Sequence, residues 1–337
     1  MRPVLGPIRG GGHSDCRVTI LLATYNGEKY LDELMRSLLS QTYPDFTVLA
    51  RDDGSSDRTP EILARWSAAQ PGKINIVSDD LGNLRFVQNF ARLMGLCDTP
   101  YFAFCDQDDV WLPNKIELSI NQLRTLEDQF GTETPILVHS DLTVVDGNLN
   151  EISPSFFDYT GINIANAGRL DRLLFNNIVS GCSSMGNRAL LNVAQPIPDG
   201  HLYHDWWLAL IATSCGVLHT IAEPTILYRQ HDQNQIGARY SLTGNVLWDA
   251  RHILQRPKLL KVRIAKAMRI VQSQANVLLE IAGEKMPRRN REFLRAFCFP
   301  QRQNEVALLP WRRRAWLFIR YLAIYARKLP LALRWCF

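Results

Sequence analysis

The feature that most constrains this chain is a repeated unit. A short apolar run stops at a polar loop, and a stretch with apolar residues at helical spacing follows. Val18 to Ala23 ends in Thr24-Tyr25-Asn26-Gly27, and Leu31, Leu34, Met35, Leu38 and Leu39 then recur on one helix face. Phe46 to Ala50 runs into Arg51-Asp52-Asp53-Gly54-Ser55-Ser56-Asp57, and Thr59 to Ala69 reads as the next helix. A third round has Ile74 to Val77, the loop 78 to 83 and a helix reaching about Leu96. A fourth strand, Tyr101 to Cys105, meets Asp106-Gln107-Asp108-Asp109, with a helix beginning near Pro113. Such alternation predicts an α/β fold: a mostly parallel sheet flanked by helices, with ligands at the carboxyl ends of the strands. Every polar loop named here falls at such an end.

Ile136 to Ser140 and Val217 to Leu227 add strands, the latter with Pro224 inside it, and a Gly/Ser stretch lies at 180–184. Past Gly244 the pattern turns helical, over about 246–281, 288–297 and from Pro310 onward. Charge divides at the same place. Residues 251–337 hold 20 Lys and Arg against 4 Asp and Glu, so the modest overall charge of +5 conceals a strongly basic tail.

The seven cysteines show no CxxC and no disulfide-framework spacing, which fits a reducing compartment. No apolar signal-like region precedes His13, so export is not expected. No uninterrupted run reaches the roughly 20 apolar residues of a bilayer span. The nearest, 315–333, is broken by Arg320, Arg327, Lys328 and Pro330, and reads as lying on a membrane.

Asp106, Asp108 and Asp109 follow an apolar strand, and acids this close repel one another unless a cation sits among them. Mg²⁺ or Mn²⁺, held by one or two carboxylates and diphosphate oxygens, answers that chemistry. A solvated acidic turn with Asp109 capping the next helix answers it too. Asp53 suits acceptance of a hydrogen from a nucleobase, or a plain strand-to-helix turn, and Asp57 reads as a helix cap. Tyr25 can stack on a base or pack in the core.

Thr24-Tyr25-Asn26, Asp52-Asp53-Gly54-Ser55-Ser56-Asp57 and Asp106-Gln107-Asp108-Asp109, in this order after successive strands, resemble the inverting family-two glycosyltransferases. The resemblance runs from about Arg17 to Arg239 and implies the GT-A fold. It implies that Tyr25 and Asp53 contact the base, that Thr24 and Asn26 bind substrate, and that Asp106 serves the ribose or the metal region. It also implies that Asp108 ligates the metal, with Asp109 a ligand or a neighbouring charge. Asn83, Arg85 and Asn89 lie where relatives close the nucleotide pocket.

The general base implied for the acceptor hydroxyl is Asp205, in His204-Asp205-Trp206-Trp207, where the family pattern often has Glu-Asp. Asp205 can equally cap the helix, and Trp206 can wall the sugar or belong to the core. The segment from Tyr228 to Gly237 resembles the closing loop of bacterial rhamnosyltransferase-like members, which implies Arg229 and His231 near the diphosphate.

The expectation is therefore a flexible N-terminus (1–16), a GT-A catalytic domain (17–245) and a helical, basic, membrane-associating region (246–337). Within the domain, 17–115 is the nucleotide-sugar half and 116–245 the acceptor half. Aromatic and basic residues interleave after Pro310, which suits an anionic membrane surface. The acceptor expected in the family, a lipid-linked saccharide or polysaccharide of the bacterial surface, favours membrane over nucleic acid. Activity is expected to be metal-dependent and inverting, with dTDP-rhamnose as donor, on the cytoplasmic face of the cell membrane. The alternatives are a UDP-hexose donor or a membrane-bound interaction module without turnover. Nucleotidyl transfer would call for a Gly-rich, Lys-bearing loop after the first strand, which Thr24-Tyr25-Asn26-Gly27-Glu28 is not.

Overall fold

The computed structural model describes residues 17–198, 203–231, 257–295 and 298. The expectations for 1–16 and for the aromatic and basic tail after Pro310 lie outside them.

Four strands make the first half of the sheet: β1 (Val18–Thr24), β2 (Phe46–Asp52), β3 (Ile74–Ile76) and β4 (Tyr101–Asp106). They lie in the order β3-β2-β1-β4, all parallel. The helices between them are α1 (Leu31–Leu39), α2 (Thr59–Ala69) and α3 (Arg85–Leu96). A strand covered on both faces has no solvent side, so β1 and β4 are near-continuous apolar runs. Alternate residues of β1 enter different cores. Val18, Ile20 and Leu22 pack with Leu31 and Leu34 of α1, whereas Leu21 packs with Phe90 and Leu93 of α3.

The second half is mixed. β5 (Val110–Trp111), α4 (Lys115–Phe130), β6 (Ile136–Val145) and β7 (Glu151–Ser153) lead into three short helices. These are α5 (Phe156–Thr160), α6 (Ile164–Ala167) and α7 (Leu170–Leu173). β8 (Ser184–Asn187), α8 (Arg188–Ala194), α9 (His204–Cys215) and β9 (Val217–Arg229) complete the domain. The sheet continues from β4 through β8, β6 and β9 to β5, with β7 beside β6. β8 runs antiparallel to both β4 and β6, and β9 runs parallel to β6. Near Pro224 the β6/β9 register shifts, because proline has no N–H to give the ladder.

One sequence expectation fails here. Asp109 does not cap the following helix: β5 comes between them, and α4 starts at Lys115 after Asn114.

Beyond the sheet lie α10 (Pro257–Ala282) and α11 (Arg288–Arg295). Val271, Ala275 and Leu278 join the core that holds Trp207, Leu208 and Ile211 of α9. The described part of the basic region therefore packs on α9, while Arg288, Arg289 and Arg295 stay exposed. Among the described residues, no helix is long and apolar enough to cross a membrane.

Candidate active site

Three loops at the carboxyl ends of β1, β2 and β4 are tied together by side chains reaching from one loop to the backbone of another. Thr24 donates its hydroxyl to Asp52 at 2.9 Å, and Asp52 in turn accepts the Ser55 N–H at 2.8 Å. Asn26, in the left-handed region at φ 50°, donates its N–H to Ser55 Oγ and accepts from Ser56 N. Asp57 accepts from the N–H groups of Glu28 and Thr59, both at 3.0 Å, so it meets the first N–H of α2 and holds the β1 loop as well. Thr24 is buried, and its place is in this frame. Tyr25 stands at the loop tip, 46% exposed, which decides between stacking and core in favour of an accessible ring.

Gln107, between the two strand-end acids, bonds both backbone groups of Tyr25. A Cβ at Gly27 would collide with the same amide, so any larger residue there displaces the Gln107 side chain.

Asp53 is 3% exposed and already carries three donors. Arg51 donates to its Oδ1 at 2.8 Å, and the N–H groups of Leu84 and Arg85 reach its two oxygens at 2.7 Å. Arg51 also holds Asp79, the Gly82 carbonyl and Asn89. Asn83 donates to the Asp53 carbonyl at 2.8 Å. Asp53, expected at the base, and Asn89, expected to close the nucleotide pocket, are both buried among these partners. They hold the 79–85 loop, at whose end Arg85 has φ 65° and an exposed side chain. Arg51, buried and central to this network, reads in the sequence as the first residue of a polar turn, whereas it lies in β2.

The acids of the β4 loop take different places. Asp108 Oδ2 lies 2.8 Å from His231 Nε2, both side chains partly exposed. Asp109 is 1% exposed; its Oδ1 accepts the Arg229 N–H at 3.1 Å, and no nitrogen or oxygen partner meets its Oδ2. Asp106 ends β4, half-buried. Burial first, then the charges of Asp108 and Asp205, pushes its carboxyl up to about 8. Burial, again with neighbouring acids, raises Asp109 well above the carboxylate range. The close group is Asp106, Asp109 and the thiol of Cys182, one ligand atom of each lying within 4.8 Å of the others. Asp108 is not part of it.

Asp205 lies in the first turn of α9 and accepts the Trp206 N–H at 2.6 Å, with Asn177 and the Gly181 N–H also bonding it. Burial pushes its carboxyl up to about 7 against those bonds. His204 beside it packs against Phe86, Phe90 and Phe104, at 4.2 Å from the Phe90 centroid. Burial lowers its imidazole to about 3, so it is neutral.

Trp206 and Arg229 both lie inward. Trp206 is core: it is buried, and its Nε1 donates to the Leu173 carbonyl at 2.6 Å. Arg229 is a buried staple, unavailable to a diphosphate. Its guanidinium donates to the carbonyls of Asp108 and Gly147, each at 2.7 Å, and to Glu33, with the Tyr30 ring 4.3 Å away. β9 ends at Arg229, and His231, just past it, packs beside the same Tyr30 ring at 5.0 Å and meets Asp108.

A hard divalent cation fits this donor set. Asp108 and His231 offer a carboxylate and an imidazole, and the Asp106 carboxyl lies near enough to feel the Asp108 charge, leaving positions for substrate oxygens.

Residues 19–132 match the profile of Glycosyl transferase family 2. The dTDP-rhamnosyl transferase RfbG of Shigella flexneri is 28% identical over 235 residues, which are 65% of this chain and 75% of that protein. A second relative is the UDP-Glc:alpha-D-GlcNAc-diphosphoundecaprenol beta-1,3-glucosyltransferase WfgD of Escherichia coli. It is 29% identical over 110 residues, 32% of this chain and 42% of that one. Among solved structures, S. aureus TarS 1-349 in complex with UDP-GlcNAc superposes with a TM-score of 0.51 at 15% identity. The overlap covers 93% of this chain and 82% of that one. The shared fold is GT-A-like.

Proposed function

We propose that this chain, whose residues 19–132 form a family 2 glycosyltransferase domain, moves a sugar with inversion from a nucleoside diphosphate to a bacterial surface glycan precursor. dTDP-rhamnose is the preferred donor, and the likeness to RfbG over 65% of the chain supports it. A UDP-hexose is the second reading, favoured by the likeness to WfgD. The acceptor is a lipid-linked or polysaccharide saccharide.

The observation that carries the catalytic reading is Asp205. It is a carboxylate at the start of a helix, close enough to Asp106 for the two to repel, with its proton affinity raised to about 7. A base poised there takes the acceptor hydroxyl proton near neutral pH as that oxygen attacks the anomeric carbon. Tyr25 offers its exposed ring to the base, while the 79–85 loop, with Asn83 and Arg85, borders the nucleotide. Asp108, His231 and Asp106 would hold Mg²⁺ or Mn²⁺, which when bound neutralises the diphosphate. Asp205 and Asp108 thereby divide the work, one managing the proton and the other the leaving-group end.

Peripheral attachment to an anionic cytoplasmic leaflet is supported by the charge balance of 251–337 and by exposed Arg288, Arg289 and Arg295.

The test is release of nucleoside diphosphate from a panel of nucleotide sugars, with an acceptor extract, by the parent chain and by Asp205→Asn. Donor-specific release that Asp205→Asn loses supports the reading; equal release by both overturns Asp205 as base.

A further inference from the structure

The acids of the β4 loop face two environments. Asp108 meets an imidazole in the cleft, whereas Asp109 points into the protein toward a sulfur. Asp106, Asp109 and Cys182 bring one carboxylate oxygen each and a thiol sulfur within 4.8 Å of one another. Asp109 Oδ2 is buried with no nitrogen or oxygen partner, an arrangement that costs free energy unless something meets it. The nearby amine is also unsatisfied: Lys115 Nζ is buried, makes no hydrogen bond and sits 4.4 Å over the Trp111 ring. The interior therefore gathers two carboxyl groups around one thiol that bonds both, with Asp109 Oδ2 met by no nitrogen or oxygen.

We propose that Asp106, Asp109 and Cys182 form a second cation site beneath the Asp108–His231 pair, selective for a thiophilic divalent ion such as Zn²⁺. Selectivity follows from the donors. Mg²⁺ takes oxygen and keeps its waters, whereas Zn²⁺ accepts one sulfur and two carboxylate oxygens in a tetrahedron whose fourth corner is water. On binding, the Cys182 thiol gives its proton to solvent as the Zn–S bond forms, and no redox step is involved. Asp106 is the half-buried member through which the ion enters from the cleft.

The site is tested without turnover, so its failure is distinguishable from failure of the proposed transfer. Purified full-length chain, reduced, is titrated with Co²⁺ in the absence of nucleotide while the near-ultraviolet spectrum is recorded. The expected result is a thiolate-to-cobalt charge-transfer band, kept in Cys97→Ser and His231→Ala, lost in Cys182→Ser, and bleached by stoichiometric Zn²⁺ but not by excess Mg²⁺. Absence of the band in the folded parent chain, or a band unchanged in Cys182→Ser, overturns the site. Should Cys182→Ser fail to fold by circular dichroism, Asp109→Asn keeps the sulfur and carries the test. Weakened Co²⁺ binding then supports the site, and undiminished binding overturns it.

Discussion

The side-chain amide of Gln107 pairs with both backbone groups of Tyr25: Nε2 donates to the Tyr25 carbonyl and Oε1 accepts the Tyr25 N–H, each at 2.8 Å. The loop carrying the exposed ring is thereby fixed to the strand-end acids.

Gln107→Ala removes both bonds and frees the Tyr25 loop. Stability falls by only about 1 kcal/mol, since the pair faces solvent. Nucleotide affinity falls more than stability does. Denaturant melts and nucleotide titration measure the two, and unchanged nucleotide affinity would show that the clamp does not serve binding. Gly27→Ala, which drives a methyl into the same amide, should have the same signature.

Arg51→Met leaves the buried Asp53 carboxylate without its cation and releases the 79–85 loop. The expected loss is about 3–5 kcal/mol, the cost of breaking a buried pair from one side. Urea unfolding checks it; a loss below about 1 kcal/mol would mean that Asp53 is satisfied by backbone alone.

Arg229 and His231 should separate cleanly. Arg229→Lys keeps the charge but cannot reproduce a guanidinium that reaches two carbonyls and Glu33, so stability drops by about 1.5–3 kcal/mol. His231→Ala should leave the melting temperature nearly unchanged while weakening divalent-cation binding. The reverse pattern in thermal melts and cation titrations would return Arg229 to the cleft.

The strands of the first half were legible because buried parallel strands read as unbroken apolar runs, and Tyr25, Asp106 and Asp108 were findable as the polar residues that stop them. β8 was not: Ser-Met-Gly-Asn has no strand periodicity and is held by its two neighbours, with Gly186 giving room to Phe102. Nor does spacing tell an arginine that reaches ligand from one that reaches carbonyls, which is why Arg229 was misplaced and Arg51 overlooked. Cys182 is brought to the acids by the turn before β8, a long-range contact that no local pattern encodes.

Asp205 predicts a pH signature. Its folded carboxyl is raised to about 7 by burial, whereas the unfolded chain releases that proton near pH 4 (about 3.9). The folded state therefore holds more protons between those values, and this residue lowers stability as pH rises across the window. Asp205→Asn should melt higher than the parent at pH 8, with the gain vanishing near pH 4.

The most direct measurement is donor turnover against pH with Mn²⁺ present, for the parent chain and for Asp205→Asn and Asp108→Ala. The account predicts a rate that climbs through pH 7 with ionisation of Asp205. Asp205→Asn should retain donor binding but lose about 10²–10⁴-fold in kcat, and Asp108→Ala should lose cation-dependent donor binding. Full turnover in either variant, or failure of the folded parent chain to bind any nucleotide sugar, would contradict it.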